Sequence, residues 1–181
     1  MKRIITVVLF SLIISSCSDS KKNTSQLEKI KSLETKIDSL NQLVESSKST
    51  KGQIATFLTF QKDNAEQAMN FYMDLFDNSK IINLKRWKKG SPGKEGKIMH
   101  ATFKLNDRLF MCSDSPAIHA WSFTPAVSNF IECKDENQIK ELFTKLSENG
   151  KVMMPLGNYG FSQKFAFVED QFGVSWQLNL E

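Results

Sequence analysis

The apolar positions of this 181-residue chain follow three different patterns along its length. An almost uninterrupted apolar run covers Ile4 to Ile14. Between Leu27 and Val44 apolar residues recur every three or four positions, and from Ile54 onward short β-type runs alternate with amphipathic segments. Because strands have a side-chain period of two and helices one near 3.6, these patterns predict a helical segment followed by one α+β domain.

The first segment has the features of an export signal. Lys2 and Arg3 give a positive start, and the apolar run is shorter than the roughly 20 residues that span a bilayer. The following Ile14-Ser15-Ser16-Cys17 resembles the lipobox of bacterial lipoproteins, in which the cysteine thiol receives a diacylglycerol. Residues 1–16 are therefore predicted to be a signal peptide, and Cys17 a lipidation site that anchors the protein in the bacterial envelope outside the cytoplasm. The alternative is an ordinary signal peptide with a chance cysteine.

Two accessory segments are predicted after the lipidation site. Residues 17–26 are almost entirely polar or small and predict a linker. Residues 27–48 place Ile30, Leu33, Ile37, Leu40 and Val44 at the a and d positions of a heptad, which predicts a helical stalk. Two interpretations remain open: a stalk that oligomerises, which would make the protein a homodimer, or a spacer helix that packs on the domain or stays solvated.

Residues 53–181 repeat one plan twice, which predicts two βαβββ modules whose apolar faces pack together. Asp63 or Asn64 is expected to cap the first helix and Asp135 the second, with Asn149-Gly150 ending the latter. Turns are expected at residues 106–107 and 170–173. The predicted strands are residues 54–60, 80–87, 98–105, 109–113, 127–133, 151–154, 165–168 and 174–180.

The net charge and the cysteine content limit the functions that this chain can have. The formal charge is +4, and it falls to +2 once Lys2 and Arg3 are removed with the signal; this is too little, and too dispersed, for nucleic-acid binding. After lipidation Cys112 and Cys133 remain, and free buried thiols are favoured over a disulfide because nothing in the sequence brings them together.

Residues 54–180 resemble the PhnB-like branch of the vicinal oxygen chelate superfamily, which includes glyoxalase I, bleomycin-resistance proteins and extradiol dioxygenases. The matching stretches are NAEQAMNFY at 64–72, MHATF at 99–103, SDS at 113–115, FTPA at 123–126, MPLG at 154–157 and DQFGVSWQL at 170–178. The resemblance implies the glyoxalase-like fold of paired βαβββ modules. The resemblance is a weaker indication of activity than of fold, because one scaffold hosts many functions.

The resemblance also implies where a metal would bind in the superfamily's metalloenzymes. The four ligand positions fall at Thr56 or Phe57, at Phe110 or Met111, near Ser128, and at Gln177, of which only Gln177 offers a ligand atom. No metal and no cofactor are therefore expected. Some relatives have a methyltransferase label, but Gly90, Gly93 and Gly96 are expected between two strands rather than in a loop that leads from a strand into a helix.

A cavity for an unidentified small molecule is the remaining expectation. Its predicted lining is Phe60, His100, Met111, Asp114, Trp121, Asn129, Tyr159, Phe165, Trp176 and Gln177. His100 with Asp114 is the candidate acid–base pair, and His119 a further histidine; core packing and turn capping are the alternatives. Three functions are compatible with these features: a ligand-binding module, an enzyme of the glyoxalase and dioxygenase superfamily with reassigned residues, and an envelope interaction protein that oligomerises through its stalk.

Overall fold

A computed structural model describes residues 20–48 and 52–181, which belong to two separate units divided at Gly52. The first unit contains helix α1, Ser20–Lys48. It begins at Ser20 rather than at Leu27, so the later part of the predicted linker is helical; extending an existing helix by one residue costs much less than nucleating one. The predicted signal peptide and Cys17 lie outside the described residues. Within the described ranges, none of the helices combines the length and apolarity that a transmembrane span requires.

The first βαβββ module comprises β1 Thr56–Phe60, α2 Ala65–Leu75, β2 Lys80–Arg86, β3 Ile98–Leu105 and β4 Arg108–Asp114. Its strands form one sheet in the order β1-β4-β3-β2. β1 runs parallel to β4, and the other pairs are antiparallel. The predicted turn between β3 and β4 is confirmed, since Asn106 and Asp107 both have positive φ, as a tight type I′ hairpin requires.

The second module repeats this arrangement with β5 Asn129–Glu132, α3 Glu136–Ser147, β6 Lys151–Gly157, β7 Lys164–Glu169 and β8 Ser175–Leu180. The sheet order is β5-β8-β7-β6, with β5 parallel to β8. Strand for strand this is the topology of the first module, so the predicted duplication and the α+β class are confirmed. β5 is shorter than the predicted strand 127–133, and β6 extends beyond Met154 to Gly157.

The end of α3 depends on two residues with different constraints. Asn149 adopts the left-handed conformation, with φ of 56°. Gly150 follows, and a Cβ atom there would collide with the backbone oxygen of Glu169. The sequence pair Asn-Gly therefore ends the helix as predicted, but asparagine supplies the positive φ and glycine the close approach.

Each sheet has one face covered by its own helix. In the first module Leu58, Ala101 and Cys112 are register neighbours across β1, β3 and β4, and all are buried on the side of α2. The second module buries Ala166 and Leu178 on the side of α3. The buried apolar residues of both modules form a single core. The opposite face of each sheet, which we call its open face, has no helix from the described domain packed on it.

A buried carboxylate links the two modules. Asp170, in the turn before β8, accepts hydrogen bonds from Tyr72 Oη at 2.7 Å and Trp176 Nε1 at 2.8 Å, and from the backbone amides of Phe172 and Val174. Burial raises the pKa of Asp170 despite these four hydrogen bonds, and burial also raises the pKa of Tyr72 well above its usual value. Tyr72 therefore remains a phenol, and its hydrogen bond joins α2 to the second module.

Candidate functional site

Several predicted cavity residues belong to the helix-covered core. Phe60, Asp114 and Trp176 are each 2% exposed. Phe165 is buried too, but it precedes Ala166 on β7 and therefore lies on the open face of the second sheet. Phe60 and Asp114 are register partners at the ends of β1 and β4. The register places them on the same side as the core residues Leu58 and Cys112, because side chains alternate between the two faces of a strand.

Asp114 has a structural role at the start of α2. Its Oδ1 accepts a hydrogen bond from the backbone amide of Ala65 and its Oδ2 one from that of Ile98, both at 2.9 Å. Asn64 occupies the predicted N-cap position, but its side chain makes no capping bond. Helix α2 is thus capped by Asp114 from strand β4, which gives the backbone amide of Ala65 an acceptor that it would otherwise lack.

His100 lies apart from this carboxylate. Its ring contacts Phe57, with centroids 5.8 Å apart, and Phe57 is a register partner of Met111. These three side chains therefore share the open face of the first sheet, whereas Asp114 is on the covered side. The predicted His100–Asp114 pair is not assembled, and both oxygens of Asp114 are already used by backbone amides.

Of the positions that the resemblance associates with a metal, Phe57 and Met111 lie on the open face of the first sheet, and Gln177 lies on that of the second, beside Ser128. Thr56 and Phe110, the alternatives in the first module, are register partners on its covered face. Gln177 donates its amide hydrogen to Ser128 Oγ at 2.7 Å. This donor set does not fit a divalent cation, which needs several carboxylate, imidazole or thiolate ligands. Across residues 20–48 and 52–181, no cluster of three or more His, Cys, Asp or Glu side chains could hold a metal ion.

Trp121 and His119 lie in the long connection between the modules. Their rings stack with centroids 4.4 Å apart, and both are exposed. Gln61 holds this segment, since its side chain accepts from His119 N and donates to Trp121 O. His119 Nε2 lies 2.9 Å from Ser115 Oγ, and the same hydroxyl lies 2.7 Å from Ala117 O.

Tyr159 belongs to a separate aromatic cluster beside the loop from β6 to β7. Its ring packs against Phe161 and Phe165, and its hydroxyl donates to Pro155 O at 2.9 Å. The ten predicted cavity residues are therefore distributed over the core, the two open faces and two loops. The structure does not bring them together in one cavity.

Asn129 and Trp176 do share a cavity. They are register partners on β5 and β8, and they line a cleft of about 450 Å³ between the two modules, which we call the intermodule cleft. Both modules contribute to its walls. The lining residues are Phe76, Asp77, Asn78, Leu105, Asn106, Arg108, Phe110, Asn129, Phe130, Ile131, Glu132, Lys134, Gln138 and Trp176.

The floor of the intermodule cleft is aromatic. Phe76, the residue after α2, stacks on Trp176 with centroids 5.6 Å apart and an interplanar angle of 29°. Phe110 is buried beside them, and all four residues of the edge strand β5 form one wall. No pattern in the sequence identified Phe76 or Arg108 as site residues, because the cleft exists only where the two modules meet.

Charged side chains surround this floor. Arg108 and Lys134 are exposed, and within the described residues neither forms an ion pair. Asp77 and Glu132 also line the cleft, but Glu132 is held by Asn179, whose Nδ2 donates to both of its oxygens. The cleft thus combines flat apolar surface with two cations that have no anionic partner in the part of the chain described.

The two cysteines of the domain are buried and unreactive near neutral pH. Both are free thiols, with Cys112 fully buried and Cys133 4% exposed. Burial raises the pKa of Cys112 to about 12 and that of Cys133 to about 11. Since the thiolate is the nucleophile, neither residue is suited to catalysis near neutral pH.

Comparisons with known proteins agree with this architecture. The family model described as 3-demethylubiquinone-9 3-methyltransferase matches residues 52–179. A PhnB protein from Bacillus cereus is 50% identical, with a TM-score of 0.69 over 71% of this chain and 99% of its own. A protein from Pseudomonas aeruginosa is 28% identical, with a TM-score of 0.62 over 71% of this chain and 97% of its own. No curated protein matches the chain.

Proposed function

Since this chain belongs to the PhnB-like family of the vicinal oxygen chelate superfamily, whose family model is described as 3-demethylubiquinone-9 3-methyltransferase, we propose that its domain binds a small molecule in the intermodule cleft. The observation that supports this most directly is the aromatic floor at the junction of the modules. A volume of about 450 Å³ is within the range typical of small-molecule sites.

The lining of the cleft defines the kind of ligand. The stacked rings of Phe76 and Trp176, with Phe110 beside them, provide a flat apolar surface on which an aromatic ring can pack. Arg108 and Lys134 at the rim provide charge for a carboxylate or a similar anion. The free edge of β5 adds backbone donors and acceptors. An aromatic carboxylate has the chemistry that this lining would recognise.

Methyl transfer is not part of the proposal, although it appears in the description of the family. The glycines Gly90, Gly93 and Gly96 lie between the antiparallel strands β2 and β3. Backbone cradles for nucleotide-derived cofactors follow a strand and open a helix, so that the helix N-terminus faces the anionic group. The loop between β2 and β3 does not have this geometry.

The cleft can be tested with a thermal-shift panel of benzoate, larger aromatic carboxylates and the corresponding uncharged amides. Binding to the folded state alone raises the melting temperature. We expect carboxylates to raise it more than their amides, and Arg108→Ala to weaken the affinity by at least about tenfold, since a charge-assisted hydrogen bond contributes roughly 1.5–3 kcal/mol.

Lys85→Ala is the matched control, because it also removes one cation. Lys85 is a register partner of His100 on β2 and β3, and it is not one of the residues that line the intermodule cleft. Binding should be unchanged in this variant. If Lys85→Ala weakens binding and Arg108→Ala does not, the ligand occupies the open face of the first sheet; if no compound raises the melting temperature, the proposed function is wrong.

We further propose that the protein is anchored in the bacterial envelope through Cys17, outside the cytoplasm. The support is the sequence alone, namely a positive start, a short apolar run and Ile14-Ser15-Ser16-Cys17. Labelling of cells with a radioactive fatty acid should mark the wild-type chain and not Cys17→Ser, while Cys133→Ser keeps the label. Incorporation in Cys17→Ser equal to wild type would contradict the anchor.

A further inference from the structure

Helix α1 has an apolar stripe that is uncovered in the single chain. α1 is one continuous helix of 29 residues. Within it Leu27, Ile30, Leu33, Ile37 and Leu40 are between 50% and 58% exposed. Their spacing of three and four residues places them along one side of the helix. A long helix in water gains little stability from its own hydrogen bonds, so this stripe indicates a surface that a partner covers.

The residue types at the heptad positions specify the partner. In the frame that places Ile30 and Ile37 at a, the d positions are Leu33 and Leu40, and the sequence continues with Val44 at a. β-branched residues at a with leucine at d favour two parallel strands over three or four. Such a seam is complementary to itself, and therefore a second copy of this chain fits it.

Charges beside the seam favour the parallel orientation independently. Lys29 occupies a g position and Glu34 the e position of the following heptad. In a parallel pair these two positions face each other across the interface, so Lys29 of each copy meets Glu34 of the other. An antiparallel pair that keeps the same apolar layers in contact would bring Lys36 near Lys36, and Glu34 near Glu34, with like charges opposed.

From these features we infer that α1 pairs with α1 of a second copy as a parallel two-stranded coiled coil. The heptad frame brings Leu33 against Leu33, and Thr35 points away from the seam at an f position. A parallel pair has both N-termini at the same end, which two chains anchored at Cys17 would require. The inference depends on α1 alone and does not depend on the ligand proposed for the intermodule cleft.

Disulfide crosslinking of the full chain in intact cells that express it tests the pairing. Leu33→Cys, oxidised with copper phenanthroline, should give a covalent dimer in at least about fivefold higher yield than Thr35→Cys, because a d position meets its own copy across a parallel seam and an f position does not. Cys112 and Cys133 are buried and should not contribute, as the unsubstituted chain will show. Equal yields from the two variants, or no dimer from Leu33→Cys, would overturn the inference.

A charge exchange tests the orientation with the same reporter. Glu34→Lys in the Leu33→Cys chain should lower the yield of dimer about threefold, because both Lys29–Glu34 pairs become like-charged. Adding Lys29→Glu should restore it, since the pairs are then reversed but again opposite. A helix that is merely destabilised by Glu34→Lys would not recover in the double variant, and that result would argue against the parallel register.

Discussion

Replacing Asp170 with alanine is expected to lower the free energy of unfolding of the domain, residues 52–181, by about 4 kcal/mol. The variant leaves Tyr72 Oη, Trp176 Nε1 and two backbone amides without their acceptor in a buried site. Because burial already raises the pKa of Asp170, its charge is costly to keep. The loss therefore comes from the four unpaired donors. Urea denaturation followed by tryptophan fluorescence measures it.

Two reference variants are compared with Asp170→Ala in the same urea experiment. Tyr72→Phe removes one donor and should cost about 1–1.5 kcal/mol, because Asp170 keeps its other three hydrogen bonds. Asp74→Ala removes an exposed carboxylate from α2 and should change stability by less than about 0.5 kcal/mol. A cost for Asp170→Ala no larger than that for Tyr72→Phe would show that the carboxylate does not hold the modules together. The domain can be tested by itself, because the match to the solved Bacillus cereus chain covers 99% of that chain and 71% of this one.

Replacing Asp114 with alanine is expected to cost about 3 kcal/mol, the second largest effect. Asp114 is 2% exposed and accepts from Ala65 N and Ile98 N, so the variant leaves two buried amides unpaired and removes the cap of α2. Denaturation in urea is again the measurement.

Asp135→Ala is the matched control for Asp114→Ala, because Asp135 caps α3 by accepting from Gln138 N at 2.8 Å, but in an exposed position. It should cost about 1 kcal/mol, the usual value for an N-cap. His100→Ala should have a smaller effect than Asp114→Ala, since the half-buried imidazole packs on the exposed ring of Phe57 on the open face. If Asp114→Ala and Asp135→Ala lowered the free energy of unfolding equally, burial of the cap would not be the cause of the larger cost predicted for Asp114.

The elements of the domain were predictable because their causes are local. The alternation in residues 98–105 identifies β3 with the bounds that the structure has. Asp135 precedes its helix by one residue and bonds to an amide three residues away, so the cap could be predicted from the sequence alone. Asn106-Asp107 likewise carries its turn conformation in the residues themselves. The repetition of these local signals was enough to predict two matching modules.

The site was not predictable in the same way. Alternation shows that Phe60 and Asp114 share a face, but it does not show whether that face meets a helix or solvent. The cap of α2 comes from a residue 49 positions away, and no local pattern relates Asp114 to Ala65. For this reason Asp114, which caps a helix, was expected to line a cavity, while Phe76 and Arg108, which do line one, had no distinguishing pattern.

By itself, the sequence determined the order of helices and strands, their duplication and the heptad seam of α1, because each depends on neighbours within one turn or one strand. Only the tertiary structure decided which face of each sheet is buried, which carboxylates are structural, and where a cleft opens. These outcomes depend on side chains from distant segments meeting at the junction of the modules, and their distances are fixed only when both sheets have packed on the common core.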